Sequence, residues 1–192
     1  MSAISAAQQL GVSLRRCGAA EARQLFKTVE TVYRGSYVEA IASGNLFNSV
    51  EAFMTRFESY SARPGLDLVI AYHDNEPIGQ TWGWPLPKNS RWWDGLKTKP
   101  EANFTDEDAQ RTFALSEIMV TQEWTGKGVA HALHDALLSA RRERRATLLV
   151  RPTNPARRAY EHWGWNKAGQ LQPDWEDAPV FDVMIKELSN SD

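Results

Sequence analysis

Gln122-Glu123-Trp124-Thr125-Gly126-Lys127-Gly128-Val129-Ala130 stands between two patterned segments, and its reading decides the fold. Before it, Thr112 to Val120 has the character of a strand. After it, Gly128 to Arg141 reads as a helix with Val129, Leu133, Ala136, Leu137 and Ala140 on one face. A strand, a short glycine turn and a helix together make an anion site. The first amides of a helix have no partner within it, and the helix dipole adds partial positive charge there. Thr125 is placed to cap that end, Gly126 and Gly128 carry no Cβ to hold a phosphate off the backbone, and Lys127 adds a full charge. The stretch is read as a seat for a diphosphate.

Two familiar phosphate motifs fail on these residues. A P-loop needs a glycine where Thr121 stands and a serine or threonine where Gly128 follows Lys127. A dinucleotide fingerprint needs a glycine where His131 stands. Thr125 to Ala130 instead resembles the pyrophosphate loop of the GNAT superfamily of acyl-CoA-dependent N-acetyltransferases, and the resemblance extends beyond the loop. Leu115-Ser116-Glu117-Ile118-Met119-Val120 is similar to that family's fourth strand, and Leu148-Leu149-Val150 to its fifth. Asn154 to Trp165 is similar to its Asn-x-x-Ala helix, with Tyr160 in the place of the family tyrosine and Gly164-Trp165 after it. The match covers about Thr112 to Trp165. It departs from the family at Glu123, where glutamine or arginine is common, and at Thr125, where arginine is common, and both changes remove cationic help; Asn154 is also one residue closer to Ala156 than the usual spacing, which leaves Thr153 as an alternative for its role.

The resemblance implies an α/β fold: one GNAT-like domain over residues 12–188, with residues 1–11 and 189–192 as loose termini. It implies a mixed central sheet of about six or seven strands, flanked by helices around a parallel β-α-β core. It also implies acetyl-CoA as cosubstrate, with the diphosphate on Thr125, Gly126, Lys127, Gly128, Val129 and Ala130. The backbone of Ile118, Met119 and Val120 would meet the pantetheine arm, and Asn154 would touch the cofactor. For Asn154 a plain helix cap explains the residue equally well. A homodimer is implied by family analogy alone.

Composition narrows the classes. The chain has 192 residues, 42% of them hydrophobic and 24% charged, as expected of one globular domain with a substantial core. A formal charge of −2 argues against a nucleic-acid binder, which needs a basic surface. Arg141 to Arg145 is a local exception, read as a solvated helix end. The single cysteine, Cys17, excludes an internal disulfide and a cysteine-rich metal site. No stretch is long and apolar enough for a membrane span, so a soluble cytoplasmic protein is expected.

Along the chain, Val12 to Arg15 suggests a short strand, Ala20 to Tyr33 a helix, and Tyr37 to Ile41 another helical stretch. Ser49 is placed to cap a helix with Phe53, Phe57 and Tyr60 on one face. Leu66 to Tyr72 and Ile78 to Trp84 read as the arms of a hairpin turning at His73 to Pro77. Pro85 to Arg111 has no period and is long for a structureless loop. Thr147 to Arg151 is a buried strand, Asn154-Pro155 opens a helix that exits at Gly164, and Val180 to Leu188 closes the sheet.

Acyl transfer from a thioester to an amine needs a neutral amine, a polarised carbonyl and a proton for the departing thiolate. An amine of pKa about 10.4 is scarcely neutral at pH 7 without a base. Glu117 is the candidate base: strand alternation puts it on the face of Phe113, Leu115 and Met119, where desolvation raises a carboxylate's pKa. A structural ion pair with an arginine is the competing role. Tyr160 is the candidate acid, with packing beside Trp163 as its competitor. Trp82, Trp84, Trp92 and Trp93 are candidates for the acceptor side, and ordinary packing competes for at least two of them. His131 and His134 have metal-like spacing but no visible third ligand, so surface histidines and no metal are expected. The sequence therefore reads as an N-acetyltransferase moving an acetyl group to a small primary amine by direct attack in a ternary complex. The alternative is a non-catalytic acyl-CoA-binding protein of the same fold.

Overall fold

β-Branched and aromatic runs separated by turns build the frame, seen in a computed structural model that describes residues 2–98, 101–175 and 177–188. Among the described residues seven strands make one mixed sheet: β1 (Val12–Gly18), β2 (Asp67–His73), β3 (Glu76–Pro85), β4 (Thr112–Val120), β5 (Arg145–Val150), β6 (Asn166–Leu171) and β7 (Phe181–Glu187). Their order is β1-β2-β3-β4-β5-β7-β6. The last strand in sequence does not close the sheet, as the reading of Val180 to Leu188 had it. Instead β7 pairs antiparallel with both β5 and β6, and β6 takes the edge. The burial of Asp182, Val183 and Met184 fits that interior place, and the polar Asn166-Lys167 suits an edge.

The chain forms two compact units: Met1–Trp84 with Glu117–Ala140, and Pro85–Ser116 with Arg141–Asp192. In the first, β1 pairs antiparallel with β2, and β2 with β3 through a turn at Asp74 and Asn75. Both turn residues have positive φ, the hairpin geometry that Asn and Asp tolerate. The helices are α1 (Ala3–Gln9), α2 (Ala19–Ala22), α3 (Phe26–Ser36), α4 (Val38–Ala42), α5 (Val50–Ser61) and α6 (Val129–Leu138). Residues 3–9 were expected to be loose and are helical, because Ser2 caps α1 and Ala7 is buried. The expected tail 189–192 lies outside the described residues. The single helix expected over Ala20 to Tyr33 breaks at Arg23 to Leu25 into α2 and α3. Ser49 caps α5 as read, its side chain accepting from the Ala52 amide. Val29, Val32, Phe57, Leu68, Ile70, Trp82, Leu133 and Leu137 form this unit's core, each contributing about 1.5–3 kcal/mol by leaving water.

In the second unit β4 runs parallel to β5 over Thr112–Ala114, and α7 (Ala156–His162) leads into β6. The described residues of 86–111 belong to no helix and no named strand, yet they are anchored. Leu86 donates to Thr112 O at 2.8 Å, Ala109 to Leu86 O at 2.9 Å, and Lys97 to Gln170 O at 2.8 Å. The Trp93 indole donates to Glu107 at 3.0 Å, and Arg145 reaches the Glu107 carboxylate at 3.3 Å and the Thr112 hydroxyl at 2.9 Å. Arg141 to Arg145 is thus not a helix end. Helix α6 stops at Leu138, and Arg145 begins a strand, 6% exposed, where burial and the neighbouring Arg111 hold its pKa below the ordinary value.

Candidate active site

The glycine turn has the geometry of an anion seat and departs in one respect from the reading of its cap. Gln122–Trp124 makes a single 3-10 turn after β4, and Gly126 and Gly128 follow with φ of 78° and 82°. That left-handed backbone suits glycine, and a Cβ added at either position would meet no atom within 4 Å. Gly128, not Thr125, is the N-cap of α6, and no side chain caps that end. Thr125 lies too far ahead of Val129 and donates instead to Thr121 O at 3.4 Å. The opening amides of α6 therefore have no side-chain cap, and the glycines beside them leave room, which fits a diphosphate held by backbone. Lys127 is exposed, its ammonium 4.5 Å from the centre of the Trp124 ring. Trp124, itself 4.6 Å from the His73 ring, is a part of this turn that sequence reasoning missed.

Glu117 lies on β4 in the same unit as the turn. Its main-chain oxygen accepts from Thr81 at 2.8 Å, which ties β4 to β3 at that point. Part of the residue reaches the surface, but its carboxyl is desolvated: burial pushes its pKa from 4.5 up to about 7, and the charge of Arg56 pulls the other way. Ile118, Met119 and Val120 continue the strand beyond the last residue of the β5 ladder, so that ladder leaves their peptide groups uncommitted. Gln80, fully buried, donates to Met119 Sδ at 3.3 Å and to Val29 O at 3.1 Å, joining β4 to α3.

Two residues that the sequence reading did not select accompany Glu117. The Tyr33 ring stacks on Phe53 at 3.7 Å, and its hydroxyl donates to Asn48 O at 2.9 Å. Burial raises the Tyr33 pKa, Arg56 beside the hydroxyl opposes that, and the Glu117 charge adds to it. Arg56 donates to Phe47 O at 3.0 Å and holds its guanidinium 4.2 Å over the Phe47 ring. The available signal was an arginine three places after Phe53, within the apolar stripe of its helix.

The aromatic candidates divide. Trp82 is fully buried 5.1 Å from the Phe57 ring, and Trp84 stacks on Tyr60 at 5.1 Å with Arg63 over its other side at 4.5 Å. Both are packing residues of the first unit. Trp92 and Trp93 belong to the second unit, where Trp93 is buried on Phe104 and bonded to Glu107. Tyr160 and Asn154 are also in the second unit. Tyr160 is buried, with Trp163 and Trp165 edge-on at 5.7 and 6.2 Å. Asn154 stands one place ahead of Pro155, the N-cap of α7, and its side chain accepts from the Ala156 amide at 2.9 Å. His134 is not a surface residue: it is 2% exposed, with Nδ1 2.9 Å from Asp135 Oδ1. Asp135, 3.5 Å from His131 as well, is the third group that the sequence reading did not find.

Comparison with known proteins agrees with this geometry. The model of the acetyltransferase (GNAT) family matches residues 26–165. No curated protein matches the sequence. Among solved structures, PH1933 from Pyrococcus horikoshii OT3 has 14% identity and a TM-score of 0.63, over 93% of this chain and 99% of that one. The ribosomal-protein-S18-alanine N-acetyltransferase from Escherichia coli has 13% identity and a TM-score of 0.60, over 94% and 96%. A mutant spermidine N-acetyltransferase SpeG from Vibrio cholerae has 14% identity and a TM-score of 0.56, over 93% and 95%. Such identities speak for the fold, and the family match covers most of the chain. The protein belongs to the GNAT family of acetyltransferases.

Proposed function

We propose that the protein is an acetyl-CoA-dependent N-acetyltransferase acting on a primary amine by direct attack in a ternary complex. The observation that carries this reading is a desolvated carboxylate, Glu117, on the strand that feeds an open, uncapped glycine turn. Acetyl-CoA, when bound, supplies the acetyl group as a thioester. The amides from Gly126 to Ala130 and the charge of Lys127 hold its diphosphate, helped by Thr125. The peptide groups of Ile118, Met119 and Val120 align the pantetheine arm, and one amide polarises the carbonyl oxygen. Asn154 contributes from the start of α7.

Glu117, titrating near 7, takes a proton from the incoming ammonium, so that a neutral nitrogen attacks. The C–N bond forms as the C–S bond breaks; Tyr160 gives its proton to the departing thiolate, and the proton that the nitrogen sheds on becoming an amide returns through solvent to Tyr160. The proton taken by Glu117 passes to water. Names of proteins with this fold record acceptors as different as a ribosomal protein and spermidine, so the fold tolerates amines of very different size. We propose a cytoplasmic location; separately, no helix among the described residues is long and apolar enough to cross a membrane. By family analogy we propose a homodimer.

Calorimetric titration with CoA, acetyl-CoA and ATP tests the reading. Selective binding of the CoA species is expected, weakened at least tenfold by Gly126→Val or Gly128→Val. Equal or tighter binding of ATP, or no binding of CoA, would overturn it.

A further inference from the structure

Arg56 has no assigned task, although its guanidinium is held firmly in place. It carries five N–H donors in a planar fork; one is used on Phe47 O at 3.0 Å, a further one serves the Tyr33 hydroxyl, and the others are open to a ligand. The Phe47 ring lies 4.2 Å below it, the Phe53 ring 6.0 Å away, and the Tyr33 hydroxyl beside it. Phe53 in turn carries Tyr33 at 3.7 Å and touches Trp82 at 6.0 Å, and Thr81 next in the strand holds the main chain of Glu117. Arg56 and Glu117 thus belong to one contiguous cluster of the first unit. Among the described residues neither forms an ion pair.

An unpaired arginine and an unpaired carboxyl near each other present one positive and one negative anchor. The ligand complementary to both is a zwitterion: an ammonium group for Glu117 and a carboxylate for the arginine fork, which matches carboxylates in bidentate geometry. Building on the N-acetyltransferase reading, we infer that the acceptor is a free amino acid, with its amine toward Glu117 and its carboxylate taken by Arg56. The apolar side of the cluster extends this. Phe47, over which the guanidinium lies, is 55% exposed and its neighbour Leu46 84%, an unusual exposure for adjacent large apolar residues, and this is the side on which an acceptor's side chain would emerge. The acceptor's side chain is then apolar. Arg56 is a specificity-determining residue on this view: it acts on binding, while the proton transfer stays with Glu117.

The test is a thiol-release assay with acetyl-CoA across the amino acids, each beside its decarboxylated amine and its carboxamide. The three members of a set share a side chain and differ at the carboxylate. The expected result is at least one amino acid, aromatic or aliphatic, turned over with a kcat/KM 100-fold or more above its amine and amide. Arg56→Gln should lower that kcat/KM about 10- to 100-fold through KM, the size of a lost charge-assisted pair, and narrow the ratio between acid and amine. Arg56→Lys should recover part of the loss, and a melting curve of each variant separates misfolding from lost recognition. Amines or amides used as well as their parent acids would overturn the inference. So would equal losses on all three in Arg56→Gln, or no amino acid turned over by a protein that binds acetyl-CoA. Failure to bind acetyl-CoA would instead refute the N-acetyltransferase reading beneath it.

Discussion

Two glutamates, one in each unit, Glu107 buried and Glu117 half-buried, show how differently the same side chain is treated. Glu107 is 6% exposed, and its Oε1 is held by donors: it accepts from the Trp93 indole at 3.0 Å and the Thr112 hydroxyl at 2.9 Å and pairs with Arg145 at 3.3 Å, while its buried Oε2 has no hydrogen-bond partner among the described residues. Glu117 accepts no such bonds, forms no ion pair among the described residues, and is pushed up to about 7 by burial. A carboxylate paid for with donors serves the fold, because its charge is neutralised in place. One that is desolvated without them is costly to keep, and what it gains is a proton affinity in the working range of a base. The contrast can be broken from either side.

The largest effect is expected at Glu107. Glu107→Ala leaves Arg145 with its charge in a buried site and the Trp93 indole without its acceptor. The expected loss is about 3–5 kcal/mol of unfolding free energy, read from urea denaturation. A loss below about 1 kcal/mol would mean that Glu107 is not the keystone of its unit, and the contrast with Glu117 would lapse.

Glu117→Gln should do the opposite. It keeps the shape, removes the base, and is expected to lower kcat/KM about 10²- to 10⁴-fold on a good acceptor. In the parent enzyme kcat/KM should rise with pH through about 7, and that limb should vanish in the variant. The stability sign follows from the same shift. The folded pKa is raised above the unfolded value of 4.5, so the folded state holds its proton more tightly. That stabilisation is complete below about 4.5 and is lost as pH rises through about 7. The variant, which does not titrate, should gain on its parent between pH 5 and pH 8 by up to about 3 kcal/mol, reduced by whatever hydration the carboxyl keeps. Melting temperatures at the two pH values check this. A variant destabilised equally at both would make Glu117 a structural residue.

The same contrast marks what could be read without a structure. Gly126-Lys127-Gly128, the strand before it and the Asn154 helix are local patterns, and local geometry follows from residue type: glycine for left-handed backbone, asparagine for a side-chain bond to the opening amide of a helix. Glu117 was legible because strand alternation places it among apolar neighbours. Arg56 was not, since its relation to Glu117 spans 61 positions and depends on which helix lies against which strand. The surroundings of the tryptophans were hidden for a related reason. Trp82 and Trp93 look alike in sequence, yet one is buried against Phe57 and the other donates to Glu107. The interior place of β7 was equally hidden, because strand order is a property of long-range pairing, and a last strand can enter the sheet anywhere.

The smallest effect sharpens the comparison at the level of single cations. Arg145 and Lys127 both lie over aromatic rings, Arg145 at 4.6 Å from Phe104 and Lys127 at 4.5 Å from Trp124. Arg145 is buried and bonded to backbone and carboxylate, so its charge belongs to the fold. Lys127 is exposed on the glycine turn, where its contact with Trp124 is worth about 0.5–1 kcal/mol at most and is screened by salt. Its charge is left to act outward. Lys127→Ala should therefore change unfolding free energy by less than about 0.5 kcal/mol while weakening acetyl-CoA binding about 3- to 10-fold at low ionic strength. Because an exposed charge acts through solvent, parent and variant should converge in affinity as salt is raised toward 1 M, where the screening length falls to about 3 Å. A loss of affinity that persists at high salt would mean that Lys127 makes a short, desolvated contact with the diphosphate. An unchanged affinity at all salts would assign the anion seat to the backbone of Gly126 to Ala130 alone.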